Sequence, residues 1–145
     1  MSTLTPGDGQ DLLAAYKRAR ERRDPDAALA LYADGAEHRE NPFRDPIVGT
    51  NAIRAMWNDM AASQANTEFD AERVWVVGDT VLAGYHAAFT DRDTAARTRV
   101  RGFMTMELNN ERLIQRLRDW PVSSVVGTDF TFKVVAVRKD GADGG

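Results

Sequence analysis

The sequence TRVRGFMTMEL, residues 98–108, alternates between two sets of residues along its whole length. Because successive side chains of a β-strand point to opposite faces, this period of two predicts a strand with one buried face. The set predicted to face inward is Val100, Gly102, Met104, Met106 and Leu108. The other set includes Arg99, Arg101 and Glu107, which favour solvent. The stretch therefore predicts a sheet that covers a core on one side.

The sequence on both sides of residues 98–108 continues this strand pattern. Further strands are predicted at residues 69–77, 81–89, 113–120 and 130–137, and turn residues separate the first three from their neighbours. Before residue 66 only residues 37–41 predict a short strand. In the segment 113–120, alternation places the inward side chains at Leu113, Gln115, Leu117 and Asp119. The C-terminal half is therefore predicted to be a meander of strands.

The N-terminal part has the period of α-helices instead. A first helix is predicted from Asp11 onward, with Tyr16 on its inward face. A second helix, with Asp24 as its N-cap, is predicted to end at Asp34-Gly35, and a third begins at Thr50. The third has the clearest apolar stripe, formed by Ile53, Met56, Trp57 and Met60. Helices followed by strands predict an α+β domain, with the helices packed on one face of a curved antiparallel sheet.

The composition narrows the class of protein. The chain has 145 residues, a net charge of −3 and no cysteine, which fits one domain, 1–145, without disulfides or cysteine-based metal sites. It also lacks the basic excess of nucleic-acid-binding proteins. No apolar run approaches the roughly 20 residues of a membrane span, and the polar start is not typical of a signal peptide. A cytoplasmic protein that binds neither nucleic acid nor membrane is expected, with flexible ends at residues 1–10 and 139–145.

The sequence ENPFRDPIVG at residues 40–49, followed by NAIR at 51–54, resembles the nuclear transport factor 2-like superfamily. This superfamily includes ketosteroid isomerases, SnoaL-like polyketide cyclases and limonene epoxide hydrolases. The motifs LYAD at 31–34, VGDTV at 77–81 and RDW at 118–120 agree, so that the resemblance spans about residues 10–121. It implies a cone-shaped α+β fold around an apolar pocket and a homodimer formed through the outer face of the sheet. Residues 122–138 lie outside the pattern and include the possible extra strand.

The resemblance separates three chemistries at individual positions. Asn41 falls where ketosteroid isomerases have an aspartate base, and an amide cannot accept a proton at neutral pH. Limonene-type hydrolases match at Asn41 and Asp119, but Tyr85 and Ala87 replace their Arg-x-Asp pair and Arg39 replaces a tyrosine. SnoaL-like cyclases need one acid/base carboxylate on the closing strand, and Asp119 fills that position. The resemblance therefore favours SnoaL-like chemistry.

These matches imply a set of site residues. The expected catalytic residues are Asp119, Asn41 and Tyr16, and the expected substrate-binding residues are Arg39, Trp57, Tyr85, Leu117 and Met104. Asp119 has a structural alternative, an ion pair with Arg39 or Arg118. His38 and His86 fall on the phase opposite to Asn41 and Tyr85, so they are expected outside the site, and neither a metal nor a cofactor is expected.

Three functions stay open at this point. One is a cofactor-free acid/base enzyme of the cyclase, dehydratase, isomerase or epoxide hydrolase type, which acts on a small hydrophobic substrate. The second is a non-catalytic ligand-binding or dimerisation module of the same fold. The third is a structural partner-binding domain, which predicts a pocket filled by its own side chains. A proton-handling role for Asp119 distinguishes the first from the others.

Overall fold

Two helices precede the first strand, and a third helix separates the second strand from a four-stranded meander. The computed structural model describes residues 3–126 and 132–134. The helices are α1 Pro6–Arg22, α2 Pro25–Leu29 and α3 Thr50–Ser63. The strands are β1 Tyr32–Arg39, β2 Ile47–Val48, β3 Gln64–Val77, β4 Thr80–Asp91, β5 Arg97–Leu108, β6 Ile114–Val126 and β7 Phe132–Val134.

The strands form one curved sheet in the order β2-β1-β6-β5-β4-β3, and β7 pairs with β6. The pair β1–β6 is parallel, and the other described pairs are antiparallel. The helices pack on one face of the sheet, which we call the inner face, and their buried residues join its core. The opposite face is called the outer face. The α+β class with helices packed on one face of a curved sheet is confirmed.

Strand β5 alternates as the sequence predicts. Val100, Met104, Met106 and Leu108 are buried on the inner face, whereas Arg99, Arg101 and Phe103 are exposed on the outer face. The neighbouring strands β4 and β6 continue the same inner surface with apolar residues, among them Val81, Ala83 and Leu117. The hydrophobic core thus lies between this surface and the helices.

Helix α1 begins earlier than the sequence period indicates. Thr5 and Asp8 form a capping box, in which the backbone N–H of Asp8 donates to Thr5 Oγ1 at 3.1 Å. The backbone N–H of Thr5 donates to Asp8 Oδ2 at 2.8 Å, and Pro6 occupies the first turn. The prediction that the first ten residues form a flexible end was therefore wrong from Thr5 onward, because these side chains satisfy the helix terminus.

The second helix is shorter than predicted, because the chain turns into a strand after Leu29. Residues 32–34, predicted to be helical, start β1, which pairs in parallel with β6. Asp34 and Gly35 do not end a helix but lie at an irregularity of this strand, where Gly35 has φ +72°. Pairing with a distant strand outweighs the local helical pattern here, and glycine permits the left-handed backbone.

The closing strand β6 contains a bulge that reverses its alternation. Leu108 pairs with Ile114 but Glu107 pairs with Arg116, so Gln115 is an extra residue on this strand. Ile114 is therefore buried and Gln115 exposed, the opposite of the prediction. From Leu117 onward the predicted phase holds, and Asp119 lies on the inner face.

The remaining predictions concern the C-terminal part. β6 extends to Val126, and β7 lies within the predicted segment 130–137; the other residues of that segment and the tail 139–145 lie outside the described residues. Among the described residues, no helix combines the length and the apolarity needed to span a membrane.

Candidate active site

Asp119 lies on the inner face of β6 and is buried, with 3% of its surface exposed. The hydroxyl of Tyr85 donates a hydrogen bond to Asp119 Oδ1 at 2.7 Å. These two residues are on strands that are not neighbours, because β5 lies between β4 and β6. The tyrosine side chain must therefore cross β5 to reach the carboxyl group.

Gly102 on β5 makes this crossing possible. It pairs with Tyr85 on one side and with Pro121 on the other. A Cβ atom at position 102 would lie 2.6 Å from the Tyr85 hydroxyl oxygen and 2.7 Å from two ring carbons. Since real Cβ atoms do not approach so closely, only glycine allows the ring to lie over this strand. The pattern of residues 98–108 placed Gly102 on the inner face but did not indicate what occupies the space above it.

The aromatic side chains around Tyr85 form a continuous wall. Phe69 on β3 stacks on Tyr85 with ring centroids 5.0 Å apart, and Tyr16 on α1 meets the edge of Phe69 at 5.3 Å. Trp57 on α3 contacts Tyr16 at 5.7 Å. All four rings are buried. The inner face therefore surrounds the Asp119–Tyr85 pair with apolar surface, which favours uncharged groups.

Burial changes the protonation of Asp119. Its pKa is raised to about 7, chiefly by desolvation and also by the charge of Glu40. The hydrogen bond from Tyr85 and the electrostatic effects of Arg20 and His38 oppose this rise. Because its pKa lies near neutrality, the carboxyl group can both donate and accept a proton at physiological pH.

Tyr16 and Arg20 bring two polar groups from α1 to this site. Both are buried, and the Arg20 guanidinium lies 5.7 Å from the centre of the Phe69 ring. Burial raises the pKa of Tyr16, so that its hydroxyl stays a hydrogen-bond donor. Arg20 interacts electrostatically with Tyr16, Tyr85 and Asp119. Arg20 was not among the predicted site residues, although its spacing of four residues from Tyr16 could have indicated a shared helix face.

His38 and Glu40 were also missed as site residues. His38 is 1% exposed; its Nδ1 lies 2.9 Å from the Tyr32 hydroxyl, and its Nε2 lies 2.9 Å from Glu40 Oε2. The expectation that His38 lies outside the site was wrong. β1 buries Ala36 and His38, so its inward phase falls on even-numbered residues and the strand ends before Asn41. His86, by contrast, is exposed on the outer face as predicted.

Arg39 lies on the opposite side of β1 from His38. Its guanidinium donates to the carbonyl oxygen of Arg44 at 2.9 Å, and it lines an outer cleft of about 230 Å³ with Arg118 and Trp120. The predicted inward orientation of Arg39 and its pairing with Asp119 were therefore wrong. Arg118 lies 3.6 Å from Glu107 Oε2 on the outer face, so it offers no structural ion pair to Asp119 either.

The other predicted residues divide between the core and a loop. Trp57, Leu117 and Met104 are buried, and Met104 pairs directly with Asp119 across β5 and β6. The indole N–H of Trp57 has no hydrogen-bond partner among the described residues. Asn41 lies after β1, where its Oδ1 accepts a hydrogen bond of 2.8 Å from the backbone N–H of Phe43. No cluster of three or more metal-ligating side chains occurs within residues 3–126 and 132–134.

The sequence and the fold of this chain were compared with known protein families, curated proteins and solved structures. A family model described as a SnoaL-like domain matches residues 13–116. A search of the curated proteins finds no significant match. Many solved structures have a similar fold, and three of them are described next. Each of the three is less than 25% identical to this chain, so the similarity shows the fold alone.

The first of these structures is SalBIII, an epoxide hydrolase/cyclase-like enzyme in pyran ring formation in the polyether salinomycin, with TM-score 0.70, 18% identity and coverage of 86% of this chain and 94% of that one. The second is a Mycobacterium tuberculosis LEH-like epoxide hydrolase, with TM-score 0.68, 19% identity and coverage of 96% and 92%. The third is a computationally designed 17-OHP binder, with TM-score 0.68, 23% identity and coverage of 87% and 97%.

Proposed function

Since this chain belongs to the SnoaL-like family, we propose that it binds a small hydrophobic molecule between its helices and sheet and transfers a proton with Asp119. The observation that carries this proposal is the buried Asp119 carboxyl group, hydrogen-bonded to Tyr85 and with a pKa of about 7. A carboxyl group in this state serves as an acid or as a base without a cofactor. Its apolar surroundings suit a hydrophobic ligand.

The polar groups of the site suggest that this ligand contains an oxygen atom. The buried indole N–H of Trp57 makes no hydrogen bond of good geometry, although it lies close enough to the Tyr32 hydroxyl to lower the pKa of Tyr32. A carbonyl, hydroxyl or epoxide oxygen would satisfy it. Tyr16 is a further candidate donor, since burial keeps its hydroxyl protonated. Tyr85, Leu117 and Met104 would contact the ligand around Asp119, whereas the role of Asn41 stays a prediction.

The reaction classes that fit are those that move one proton to or from an oxygen-bearing ligand. Cyclisation, dehydration, isomerisation and epoxide opening all meet this condition. Two similar structures support the choice: SalBIII is described as epoxide hydrolase/cyclase-like, and another is an LEH-like epoxide hydrolase. The sequence of this chain does not select one of these classes.

A non-catalytic ligand-binding module is the second candidate. Ala87, buried on β4, and Asn41 stand where related enzymes have ionisable groups, and this favours binding without turnover. A designed 17-OHP binder has a similar fold. This candidate predicts affinity for hydrophobic ligands and no chemical change in them.

The test compares wild type with Asp119→Asn on a panel of epoxides, β-hydroxy ketones and hydroxy-epoxides. Products would be followed by chromatography and mass spectrometry, and binding by the fluorescence of 2-naphthol as a probe. We expect turnover of at least one compound by wild type and a loss of about 100-fold or more in Asp119→Asn. Probe binding without turnover, or equal turnover by both proteins, would instead favour the binding module.

We also propose that the outer face forms a homodimer interface. Phe103 on β5 and Trp120 on the neighbouring β6 are exposed on this face, and so is Trp75 on β3, whose ring lies 6.1 Å from that of Phe103 across β4. Exposed aromatic residues grouped in this way are typical of protein interfaces. Sedimentation velocity should detect a dimer for wild type and a monomer for Phe103→Lys. A monomeric wild type would contradict the proposal.

A further inference from the structure

We propose that Glu40 is the second catalytic carboxyl group of this site, acting as the base while Asp119 acts as the acid. We further propose that His38 and Tyr32 are positioning residues that hold Glu40 in place. This inference rests on the proposed function, since it assigns the partner of Asp119 in proton transfer.

The parallel pairing of β1 with β6 brings the two carboxyl groups close together at the end of β1. Arg39 pairs with Arg118, and the next residue on each segment is Glu40 and Asp119 respectively. The side chain of Glu40 is 46% exposed, whereas Asp119 is buried. Glu40 is nevertheless close enough for its charge to raise the pKa of Asp119. Glu40 therefore lies between the buried Asp119 and solvent.

Two consecutive hydrogen bonds connect Glu40 through His38 to the buried Tyr32. The Tyr32 hydroxyl lies 2.9 Å from His38 Nδ1, and His38 Nε2 lies 2.9 Å from Glu40 Oε2. Because the pKa of Glu40 is lowered, its carboxylate is ionised and can only accept a hydrogen bond, so His38 Nε2 is the donor to Glu40. The Tyr32 hydroxyl, which burial keeps protonated, bonds to the other ring nitrogen, Nδ1. An arrangement of this kind fixes the orientation of a general base.

The surroundings of the two carboxyl groups favour opposite protonation states. The Glu40 side chain is nearly half exposed, so only its partial desolvation opposes ionisation, and the hydrogen bond from His38 with electrostatic interactions with His38 and Arg20 outweighs it and lowers its pKa. Asp119 faces Glu40, Tyr85, Arg20 and His38, with the opposite net result. Two carboxyl groups whose environments separate their pKa values are a common acid/base assignment. At neutral pH, Glu40 is ionised while Asp119 retains its proton in part.

The proton transfer balances within these two residues and the ligand. When a hydroxyl group or water adds to an epoxide, its O–H bond breaks and the proton goes to Glu40. The new C–O bond forms as the epoxide C–O bond breaks, and the released electron pair stays on the epoxide oxygen. That oxygen takes the proton of Asp119. Glu40 ends protonated and Asp119 ionised, and proton exchange through water restores the initial state.

The test measures the pKa of Asp119 by ¹³C NMR titration of its carboxyl group. In Glu40→Gln we expect this pKa to fall by at least about half a unit, because the anionic neighbour is lost. Glu37→Gln is the matched control, since Glu37 is on the same strand but near Arg116. The control should leave the pKa of Asp119 unchanged. An unchanged Asp119 pKa in Glu40→Gln would overturn the inference.

Activity and the positioning residues give the second part of the test. On a compound turned over by wild type, Glu40→Gln should lose about 100-fold in kcat and the acidic limb of the pH profile. His38→Asn should lower kcat about tenfold with KM unchanged, and should raise the pKa of Glu40 towards its usual value. If Asp119→Asn abolishes turnover while Glu40→Gln keeps it, the inference fails and the proposed function stands. If Asp119→Asn keeps full turnover, the proposed function itself fails.

Discussion

The inner and outer faces of the sheet both carry carboxylates, but the two faces hold them in opposite states. On the inner face, Asp119 is surrounded by apolar side chains, and burial raises its pKa to about 7. On the outer face, Glu72 forms an ion pair with Arg101 and lies 3.3 Å from His86 Nδ1, and the Arg101 hydrogen bond lowers its pKa. Solvation decides between these outcomes, since both groups are ordinary carboxylic acids.

The same contrast exists between neighbours along single strands. Tyr85 is buried and donates to Asp119, while His86 beside it is exposed among carboxylates. Asp119 is buried between Arg118 and Trp120, which are both exposed. A period of two residues thus separates a reactive interior from a charged surface. Substitutions on the two faces test this contrast.

The largest expected effect is that of Asp119→Asn on stability. Between pH 3.8 and about 7, the Asp119 carboxyl group is protonated in the native protein but ionised in the unfolded chain. The free energy of unfolding of wild type therefore falls as the pH rises through this range. At about 1.4 kcal/mol per pKa unit, the free energy of unfolding of Asp119→Asn should exceed that of wild type by about 4 kcal/mol at pH 8 and match it near pH 4. Urea denaturation at both pH values measures this. Equal free energies of unfolding at pH 8 would contradict a desolvated carboxyl group.

A smaller effect is expected from adding a Cβ atom on the inner face. Gly102→Ala forces the Tyr85 ring away from Asp119 and should cost about 1–3 kcal/mol, as overpacking of a core does. It should also raise the pKa of Asp119, because the Tyr85 hydrogen bond lowers that pKa.

Gly84→Ala is the control for this change. A Cβ at position 84 would find its nearest neighbours at 4.0 Å, so this variant should keep wild-type stability within about 0.5 kcal/mol. Denaturation curves and the NMR titration of Asp119 measure both variants. Similar losses at the two positions would show that the close approach over Gly102 does not constrain Tyr85.

The smallest effect is expected on the outer face. Glu72→Gln removes the partner of Arg101 and His86, but exposed ion pairs gain little because water and salt screen them. We expect no measurable change in thermal midpoint or in the NMR titration of Asp119. A clear fall in the midpoint would mean that the outer charges form a structural network.

Much of the fold was predictable because its strands alternate strictly. The pattern of residues 98–108 gave the inner and outer sets of β5, and the alternation of residues 113–120 gave the inward position of Asp119. The early end of α2 and the bulge at Gln115 were not predictable in this way. Both depend on pairing with residues far away in sequence, namely β6 for β1 and Glu107–Leu108 for β6.

The candidate site was predictable only in part. Asp119, Tyr85, Tyr16 and Trp57 were expected, and the structure groups them on the inner side. His38 and Arg39 exchanged their expected orientations, because alternation was extended to Asn41 although β1 ends at Arg39. Glu40 follows the strand, and no periodicity applies to it there.

By itself, the amino-acid sequence determined the α+β class, the apolar inner surface and the position of one carboxyl group on it, since these follow from local periods of 3.6 and 2 residues. Only the tertiary structure decided which polar groups meet Asp119: Tyr85 across Gly102, Arg20 from α1, and Glu40 through the parallel pairing of β1 with β6. The physical reason is that protonation depends on burial and on neighbouring charges, and these arise when distant segments pack together.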